Sequence, residues 1–221
     1  MPRLMTHQRT TGAATGGPLT YHTAGTPSER FGHAQYLVRQ KFFKVFGNAF
    51  YVYDMAGNLV MYSKQKAFKL KEDIRLYTGE DMQTELLRIG ARQIIDFSAA
   101  YDVWDVQANQ KVGAFKRKGW KSLIRDEWIV MDPYDREVGT IVEDSTALAL
   151  VRRFVDAASL ILPQKFHCEM GGAVVATFQQ NYNPIIRKLT VDFSMDPAGR
   201  LDRRLGLAAA TLLSAIEGRQ S

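Results

Sequence analysis

Along most of the chain, hydrophobic residues occur in short runs that are rich in aromatic and β-branched side chains. The runs begin near Gln35, and turn signals separate them about every 8 to 12 residues, a spacing typical of antiparallel sandwiches and barrels. In the first unit, residues 50–54 lead through Gly57 and Asn58 into residues 59–62, and these two turn residues tolerate positive φ. Similar turn signals lie at residues 79–81, 108–109, 132–135 and 171–172.

This repetition predicts a mainly β fold. Strand pairs that recur in this way imply about ten strands or more, too many for a flat open sheet in one domain. We therefore predict a closed antiparallel β-barrel, because closure removes the exposed edges of a sheet.

Two segments depart from the strand pattern. Ser145 can cap a helix over residues 146–159, which Pro163 would stop. Residues 205–216 carry no charge, and a helix of this length spans roughly 18 Å, well short of the roughly 30 Å hydrocarbon core of a bilayer. We predict no transmembrane span and place a central hydrophobic helix, at about residues 201–217, inside the barrel.

The first 33 residues differ from the rest of the chain. They are rich in Thr, Gly, Ala and Pro and have no apolar periodicity, so we predict a flexible tail at 1–33 and a barrel domain at 34–221. His7, His22 and His33 lie in this tail, but their spacing is not that of metal ligands.

Composition narrows the class of protein. In 221 residues, 46% are hydrophobic and 24% charged, which is ordinary for a globular chain and excludes a disordered or multi-span protein. A single cysteine, Cys168, allows no intramolecular disulfide, and the N-terminus has no secretory signal pattern. We therefore predict a cytoplasmic protein. Peripheral attachment to a membrane is the alternative localisation to test.

Few motifs point to catalysis. The chain has no Walker loop, His-Glu-x-x-His, Gly-x-Ser-x-Gly or Gly-x-Gly-x-x-Gly. His167 and Cys168 are adjacent, but neighbouring side chains of a strand point to opposite faces and cannot work as base and nucleophile. This pattern predicts Cys168 in the core, His167 at the surface, and no catalytic residue.

One segment partly matches a calcium loop. Asp192, Ser194 and Asp196 occupy positions 1, 3 and 5 of a 12-residue loop. Pro197 and Arg203 stand where such a loop needs glycine and a bidentate glutamate. We therefore predict no metal site and no cofactor.

The sequence between residues 35 and 218 resembles the LURP-one-related family, in the tubby C-terminal-like superfamily that includes the phospholipid scramblases. The resemblance rests on residues 36–43, on the hairpin at 47–60, on residues 172–177, and on Asp-Arg-Arg at 202–204 before the apolar helix. It implies a barrel of about twelve strands around a C-terminal helix. In that superfamily, tubby domains bind phosphoinositides and scramblases are linked to calcium-dependent lipid movement, whereas most LURP-one-related members have no defined biochemistry.

Basic residues form two groups with interleaved aromatic side chains. Residues 111–125 contain six cations and no acid, and a second group follows the first hairpin. Such groups suit an anionic membrane surface or nucleic acid, although barrel walls also carry Lys and Arg to discourage edge pairing. The candidate ligand-binding residues are Lys64, Lys66, Lys69, Lys71, Arg75, Lys111, Lys116, Arg117, Lys118, Trp120, Lys121 and Arg125.

These features favour a non-enzymatic binding or adaptor module that recognises an anionic ligand, foremost a membrane phospholipid or phosphoinositide headgroup. The alternatives are a nucleic-acid or transcription-associated protein and a scramblase-like lipid transporter. The candidate partners are an anionic membrane lipid, a nucleic acid or another protein, and the chain is predicted to be a monomer.

Overall fold

The computed structural model describes residues 27–43, 47–65, 73–92, 100–118, 127–144, 164–181 and 187–217, which form twelve strands and two helices. The strands are β1 (Gln35–Phe43), β2 (Gly47–Asp54), β3 (Leu59–Gln65), β4 (Asp73–Tyr77), β5 (Glu85–Ala91), β6 (Ala100–Asp105), β7 (Gln110–Arg117), β8 (Glu127–Met131), β9 (Glu137–Glu143), β10 (Lys165–Met170), β11 (Ala173–Asn181) and β12 (Arg187–Asp192). The helices are α1 (Pro27–Arg30) and α2 (Arg203–Glu217). The helix predicted over residues 146–159 lies outside the described residues.

The sheet closes on itself. Each strand pairs antiparallel with its neighbours in the chain, and β1 pairs with β12 to complete the barrel. This closing ladder aligns Gln35 with Asp192 and Gln40 with Arg187. The predicted closed barrel of about twelve strands is confirmed.

Four of the five hairpin turns lie where the sequence placed residues that tolerate positive φ, whereas in the connection from β4 to β5 the residue with positive φ is Met82, at 52°. Gly57 has φ of 88°, Asn109 48° and Asp135 63°, and Gly171 and Gly172 have 58° and 75°. An L side chain other than Asn or Asp is strained in this region, so residue type and turn position agree. The fifth predicted turn, at 79–81, joins β4 to β5.

The barrel has two different ends. The five hairpin turns and the connection from β12 to α2 lie at one end, which we call the turn end. At the opposite end, which we call the loop end, the described strands are separated by residues 44–46, 66–72, 93–99, 119–126, 145–163 and 182–186, all outside the described residues.

Helix α2 occupies the interior of the barrel. Every residue from Leu205 to Leu213 is buried, and the helix contacts β1 and β12 on one wall and β5, β6 and β7 on the other. A helix enclosed on all sides must be apolar on all faces, which is why this segment carries no charge. The predicted core helix is therefore present.

Gly206 allows α2 to approach the end of β12 closely. A Cβ atom at this position would lie 2.4 Å from Cε1 of Phe193, which is itself fully packed. The Arg203 guanidinium lies 4.5 Å from the centroid of the same ring. The ring is thus held between the helix backbone and a cation.

Asp196 anchors the connection between β12 and α2. Its side chain is completely buried and accepts backbone hydrogen bonds from Leu201 at 2.9 Å and Arg200 at 3.0 Å. Burial alone would raise the pKa of this carboxyl, but these hydrogen bonds and the Arg203 charge outweigh burial and hold the pKa below its usual range.

Asp192, at the first position of the incomplete calcium loop, also accepts hydrogen bonds from within the chain. It accepts hydrogen bonds from the Ser194 amide at 2.7 Å and from Gln35 at 2.9 Å. The loop carboxylates therefore serve as acceptors that fix the backbone before α2.

Part of the predicted tail contacts the barrel. Arg30 is buried and donates from Nη1 to the Val60 carbonyl at 2.9 Å, and Tyr36 donates from its hydroxyl to the Arg30 carbonyl at 3.0 Å. Phe31 packs against the core. Residues 1–26 lie outside the described part of the chain, where the flexible tail stays a prediction.

Candidate ligand-binding surface

The structure describes half of the predicted ligand-binding residues. Lys64 lies on β3, Arg75 on β4, and Lys111, Lys116 and Arg117 on β7, with Lys118 directly after β7. Strands β5 and β6 separate β4 from β7, so these residues do not form one patch. The others, Lys66, Lys69, Lys71, Trp120, Lys121 and Arg125, lie outside the described residues.

Lys111 belongs to a balanced group of charges on the outer face. Its Nζ lies 2.9 Å from Asp102 Oδ1 and 2.6 Å from Asp135 Oδ1, and Arg92 binds the same two carboxylates. Hydrogen bonds from Lys111, and then from Arg92, hold the pKa of Asp135 below its usual range. Two cations facing two carboxylates leave little net charge for an external anion.

The cations at the other end of β7 have three different environments. Arg117 lies over the ring of the buried Trp128, at 5.9 Å from the centroid. Lys118 pairs with Glu127 at 2.7 Å. Lys116 is exposed and forms no ion pair within the described ranges.

Arg75 is also compensated. Its Nε lies 2.7 Å from Asp73 and its Nη1 lies 3.6 Å from Glu85. The hydrogen bond with Asp73 is the main reason that the pKa of Arg75 is raised.

Lys64 has a different environment, because it belongs to an unbalanced group on the outer face of β12, β1 and β3. We call Arg39, Lys41, Lys64 and Lys188 the cation cluster. The ladders place Arg39 directly opposite Lys188, and place Lys41 and Lys64 on either side of Ala49. At about 4.8 Å per strand spacing, the cluster extends over about 14 Å near the loop end.

The burial pattern places these side chains on the outside of the barrel. In β1, Val38 belongs to the main core, so its neighbours Arg39 and Leu37 point outward. Leu37 packs against a separate outer cluster that contains Tyr51, and Tyr51 is the β2 residue opposite Arg39.

The four cations lack acidic partners. None forms an ion pair with any residue in the described portion of the chain, and Arg39 Nε is buried without a hydrogen-bond acceptor. Lys41 Nζ instead lies 4.5 Å from the centroid of the Tyr51 ring. The cluster therefore brings together four cations, none of which has a carboxylate within ion-pair distance among the described residues.

Tyr51 is a packing residue within this surface. Only 3% of its surface is exposed, and burial, with a smaller contribution from Glu80, raises the pKa of its hydroxyl. The ring stacks parallel to Tyr53 and lies edge-on to Tyr62. It supports Lys41 and is too enclosed to stack on a nucleic-acid base.

Sequence reasoning found Lys64 but missed the other three members of the cluster. The alternation of Arg39 and Lys41 in β1 is a visible signal that two cations share one face. Their proximity to Lys188 depends on the pairing of β1 with β12, which is separated by most of the chain and leaves no local signal.

Cys168 is fully buried, and burial raises the pKa of its thiol to about 12. His167 is half-buried and lies beside Asp144 and Glu169. The two side chains therefore have separate surroundings, as strand alternation predicts.

The described residues contain neither a membrane-spanning helix nor a metal-binding cluster. No helix there is long and apolar enough to cross a membrane. No group of three or more His, Cys, Asp or Glu side chains in that part of the chain could hold a metal ion.

No protein-family model and no curated protein matches this sequence. Among solved structures, the chain is similar to the X-ray structure of an Arabidopsis thaliana protein, AT5G01750, with 13% sequence identity and a TM-score of 0.45. The match covers 84% of this chain and 92% of that chain. The resemblance to the LURP-one-related family therefore stays a prediction.

Proposed function

We propose that this protein is a non-enzymatic binding module whose cation cluster recognises a ligand with several negative charges, foremost the phosphorylated headgroup of a membrane phosphoinositide. The observation that carries the proposal is the grouping of four cations on β12, β1 and β3, across four adjacent strands, with no ion pair to an acid among the described residues. The proposal is limited to recognition and includes no movement of lipid.

The contrast with the other predicted cations supports this assignment. Lys111, Arg75 and Lys118 each have a carboxylate within 3 Å. Like charges placed directly opposite each other destabilise a sheet, so Arg39 opposite Lys188 is unfavourable without an anion. A phosphate accepts charge-assisted hydrogen bonds from both guanidinium and ammonium groups and would reverse this penalty.

Charge is the expected basis of the contact. Among the described residues, the large hydrophobic side chains that are exposed all lie at the turn end, opposite the cluster. They are Met55, Met82, Trp104, Tyr134 and Met195. The cluster has unpaired cations, and no large exposed hydrophobic side chain is described near it. We therefore expect it to contact lipid headgroups without inserting deeply into the bilayer. Binding should therefore weaken steeply as salt is added, because salt screens exposed charges.

The proposal can be tested by sedimentation with phosphatidylcholine vesicles that contain phosphatidylinositol bisphosphate. Each cation near an anionic surface contributes on the order of 1 kcal/mol, so the double variant Lys64→Glu, Lys188→Glu should bind at least about tenfold more weakly. The matched control is Lys165→Glu, Arg136→Glu, which changes net charge equally at cations already paired with Asp144 and Asp132.

If both double variants lose binding equally, general charge attraction explains the result and the cluster is not the site. Competition with a soluble inositol phosphate separates headgroup recognition from recognition of a membrane surface. A parallel titration with duplex DNA tests the nucleic-acid alternative. Binding to DNA alone would overturn the lipid assignment.

A further inference from the structure

The turn end of the barrel carries a group of exposed apolar side chains. Five large hydrophobic residues of the described ranges are at least 41% exposed, and all five lie at this end: Met55, Met82, Trp104, Tyr134 and Met195. Isolated exposed hydrophobic residues are normal, but a group confined to one end of a molecule marks an interaction surface. Three of the five are methionines, whose flexible side chains adapt to the shape of a partner.

Four of these side chains follow one another around the rim of the barrel, at the turns after β2, β4, β6 and β8. We call them the apolar row: Met55, Met82, Trp104 and Tyr134. Consecutive hairpins of a closed barrel are neighbours, so each step is two strand spacings or about 10 Å, and the row extends over about 30 Å. Gln107 donates a hydrogen bond to the Glu85 carbonyl at 2.8 Å, and Lys111 pairs with Asp135 at 2.6 Å. These contacts fix the turns after β4, β6 and β8 relative to one another.

The turn end is also acidic. Its five hairpin turns and the connection from β12 to α2 contain six Asp and Glu residues, two arginines and no lysine. Both arginines are compensated, because Arg136 pairs with Asp132 at 2.6 Å and Arg200 lies 3.5 Å from Asp196. The charge of these connections is therefore opposite in sign to that of the cation cluster at the loop end.

Two of the turn-end carboxylates directly precede an exposed methionine of the apolar row. Glu80 and Asp81 are exposed, and neither forms an ion pair within the part of the chain that the structure describes. Glu80 accepts a hydrogen bond from the Tyr51 hydroxyl, and Asp81 accepts one from the Gln83 amide at 3.4 Å. These donors are neutral and leave both negative charges in place. The surface beside Met82 thus combines apolar area with negative charge.

We infer that the apolar row and the two carboxylates beside it bind a basic amphipathic segment of a partner protein. The row takes up the apolar side chains of such a segment, and Glu80 and Asp81 pair with its lysine or arginine side chains. Charge complementarity selects partners as well as attracting them, so the same carboxylates disfavour an anionic membrane and nucleic acid. The row lies at the opposite end of the barrel from the cation cluster, so its binding does not rest on the proposed function.

Fluorescence anisotropy of a labelled synthetic peptide, mixed with the full chain, tests this binding. The probe is an amphipathic peptide of leucine and lysine of roughly 20 residues, which as a helix spans the row at about 1.5 Å per residue. The chain has a formal net charge of +6, so its total charge repels the probe and does not explain binding. Binding is expected, and it should weaken at least about tenfold in the double variant Met55→Ser, Met82→Ser and in the double variant Glu80→Gln, Asp81→Asn.

The matched charge control is Asp73→Asn, Glu127→Gln, which removes two negative charges at the loop end of β4 and β8 and should keep probe binding. The four residues changed at the turn end are exposed, so their variants should unfold at the same urea concentration as the parent. A peptide of leucine and glutamate in the same pattern should bind at least about tenfold more weakly than the lysine peptide.

Absence of probe binding, or equal loss in the turn-end and loop-end charge variants, would overturn the inference. Binding of the probe only after removal of residues 1–26 would also overturn it, because that segment of the chain itself would then occupy the row. Sedimentation with phosphatidylcholine vesicles provides the last check. Vesicle binding that is lost in Met55→Ser, Met82→Ser would assign the row to a membrane instead of a protein.

Discussion

Arg39 and Lys188 face each other directly across the ladder that closes the barrel. Two like charges at such a position destabilise the sheet, and neither forms an ion pair with an acid in the described ranges. The other end of the same ladder is favourable, because Gln35 lies opposite Asp192 there and donates a hydrogen bond to it. Binding surfaces are often less stable than their surroundings, because residues suited to a ligand are not those best suited to folding. A local loss of stability in the closing ladder is therefore expected if this surface binds anions.

Replacing Lys188 with Thr should therefore stabilise the free protein while weakening anion binding. We expect a gain of about 0.5 kcal/mol in the free energy of urea unfolding at low salt, because a like-charge pair is removed from the ladder. The gain should shrink at high salt, where the repulsion is screened. Lys165→Thr is the control, since Lys165 is paired with Asp144 and its loss should bring no gain. An unchanged or lower stability for Lys188→Thr would show that the repulsion is already relieved.

Local sequence signals were enough to predict the strands, the turns and the core helix. Gly57 and Asn109 are turn residues of a type that tolerates their positive φ, and the absence of charge over residues 205–216 follows from enclosure of the helix. These features depend on neighbours within a few positions, so periodicity and turn chemistry reveal them.

The charge surface could not be predicted in the same way. The run from Lys111 to Arg125 contains no acid, yet Lys111 is neutralised by Asp102 and Asp135 from other strands and turns. The cation cluster likewise depends on contact between the first and last strands. Which cations remain unpaired is a property of strand register, which the one-dimensional pattern does not specify.

Close approach of α2 to Phe193 makes Gly206 sensitive to substitution. Gly206→Ala should destabilise the protein by about 1 to 3 kcal/mol, because the added methyl must displace a fully packed ring. Gly90→Ala is the control, since a Cβ there would meet nothing within 4 Å. Urea unfolding of both variants measures the difference. Equal midpoints would mean that Phe193 moves without cost.

The buried carboxylate of Asp196 should make stability depend on pH. Its pKa is lowered in the folded protein, so its contribution is present above the unfolded pKa of about 4 and is lost as the pH falls through the folded value. Asp196→Asn should cost about 2 kcal/mol or more at pH 7, and the difference from the parent should shrink in acid. Asp81→Asn, at an exposed turn residue, is the control. A difference that is constant with pH would contradict the role of the charge.

Two truncations locate the boundary of the tail. Removal of residues 1–33 deletes the Arg30 bond to the Val60 carbonyl and the packing of Phe31, so it should lower the melting temperature by several degrees. Removal of residues 1–26 keeps these contacts and should leave the melting temperature close to that of the full chain. Equal melting temperatures for the two truncations would support the boundary at residue 33 that the sequence indicated.

The cation cluster and the basic residues at 111–125 lie on different parts of the barrel, so their contributions to membrane binding can be separated. Lys116 is exposed without an ion pair in the described part of the chain, but β7 lies on the opposite wall of the barrel from β1. A flat membrane that contacts the outer face of β12, β1 and β3 should leave Lys116 away from the surface, so Lys116→Glu should retain most vesicle binding while Lys64→Glu weakens it. Trp120, which lies outside the described residues, should then keep the same fluorescence maximum when anionic vesicles are added. A blue shift on anionic but not on neutral vesicles, together with loss of binding in Lys116→Glu, would instead move the site to residues 111–125, because an interfacial tryptophan reports its transfer to a less polar environment.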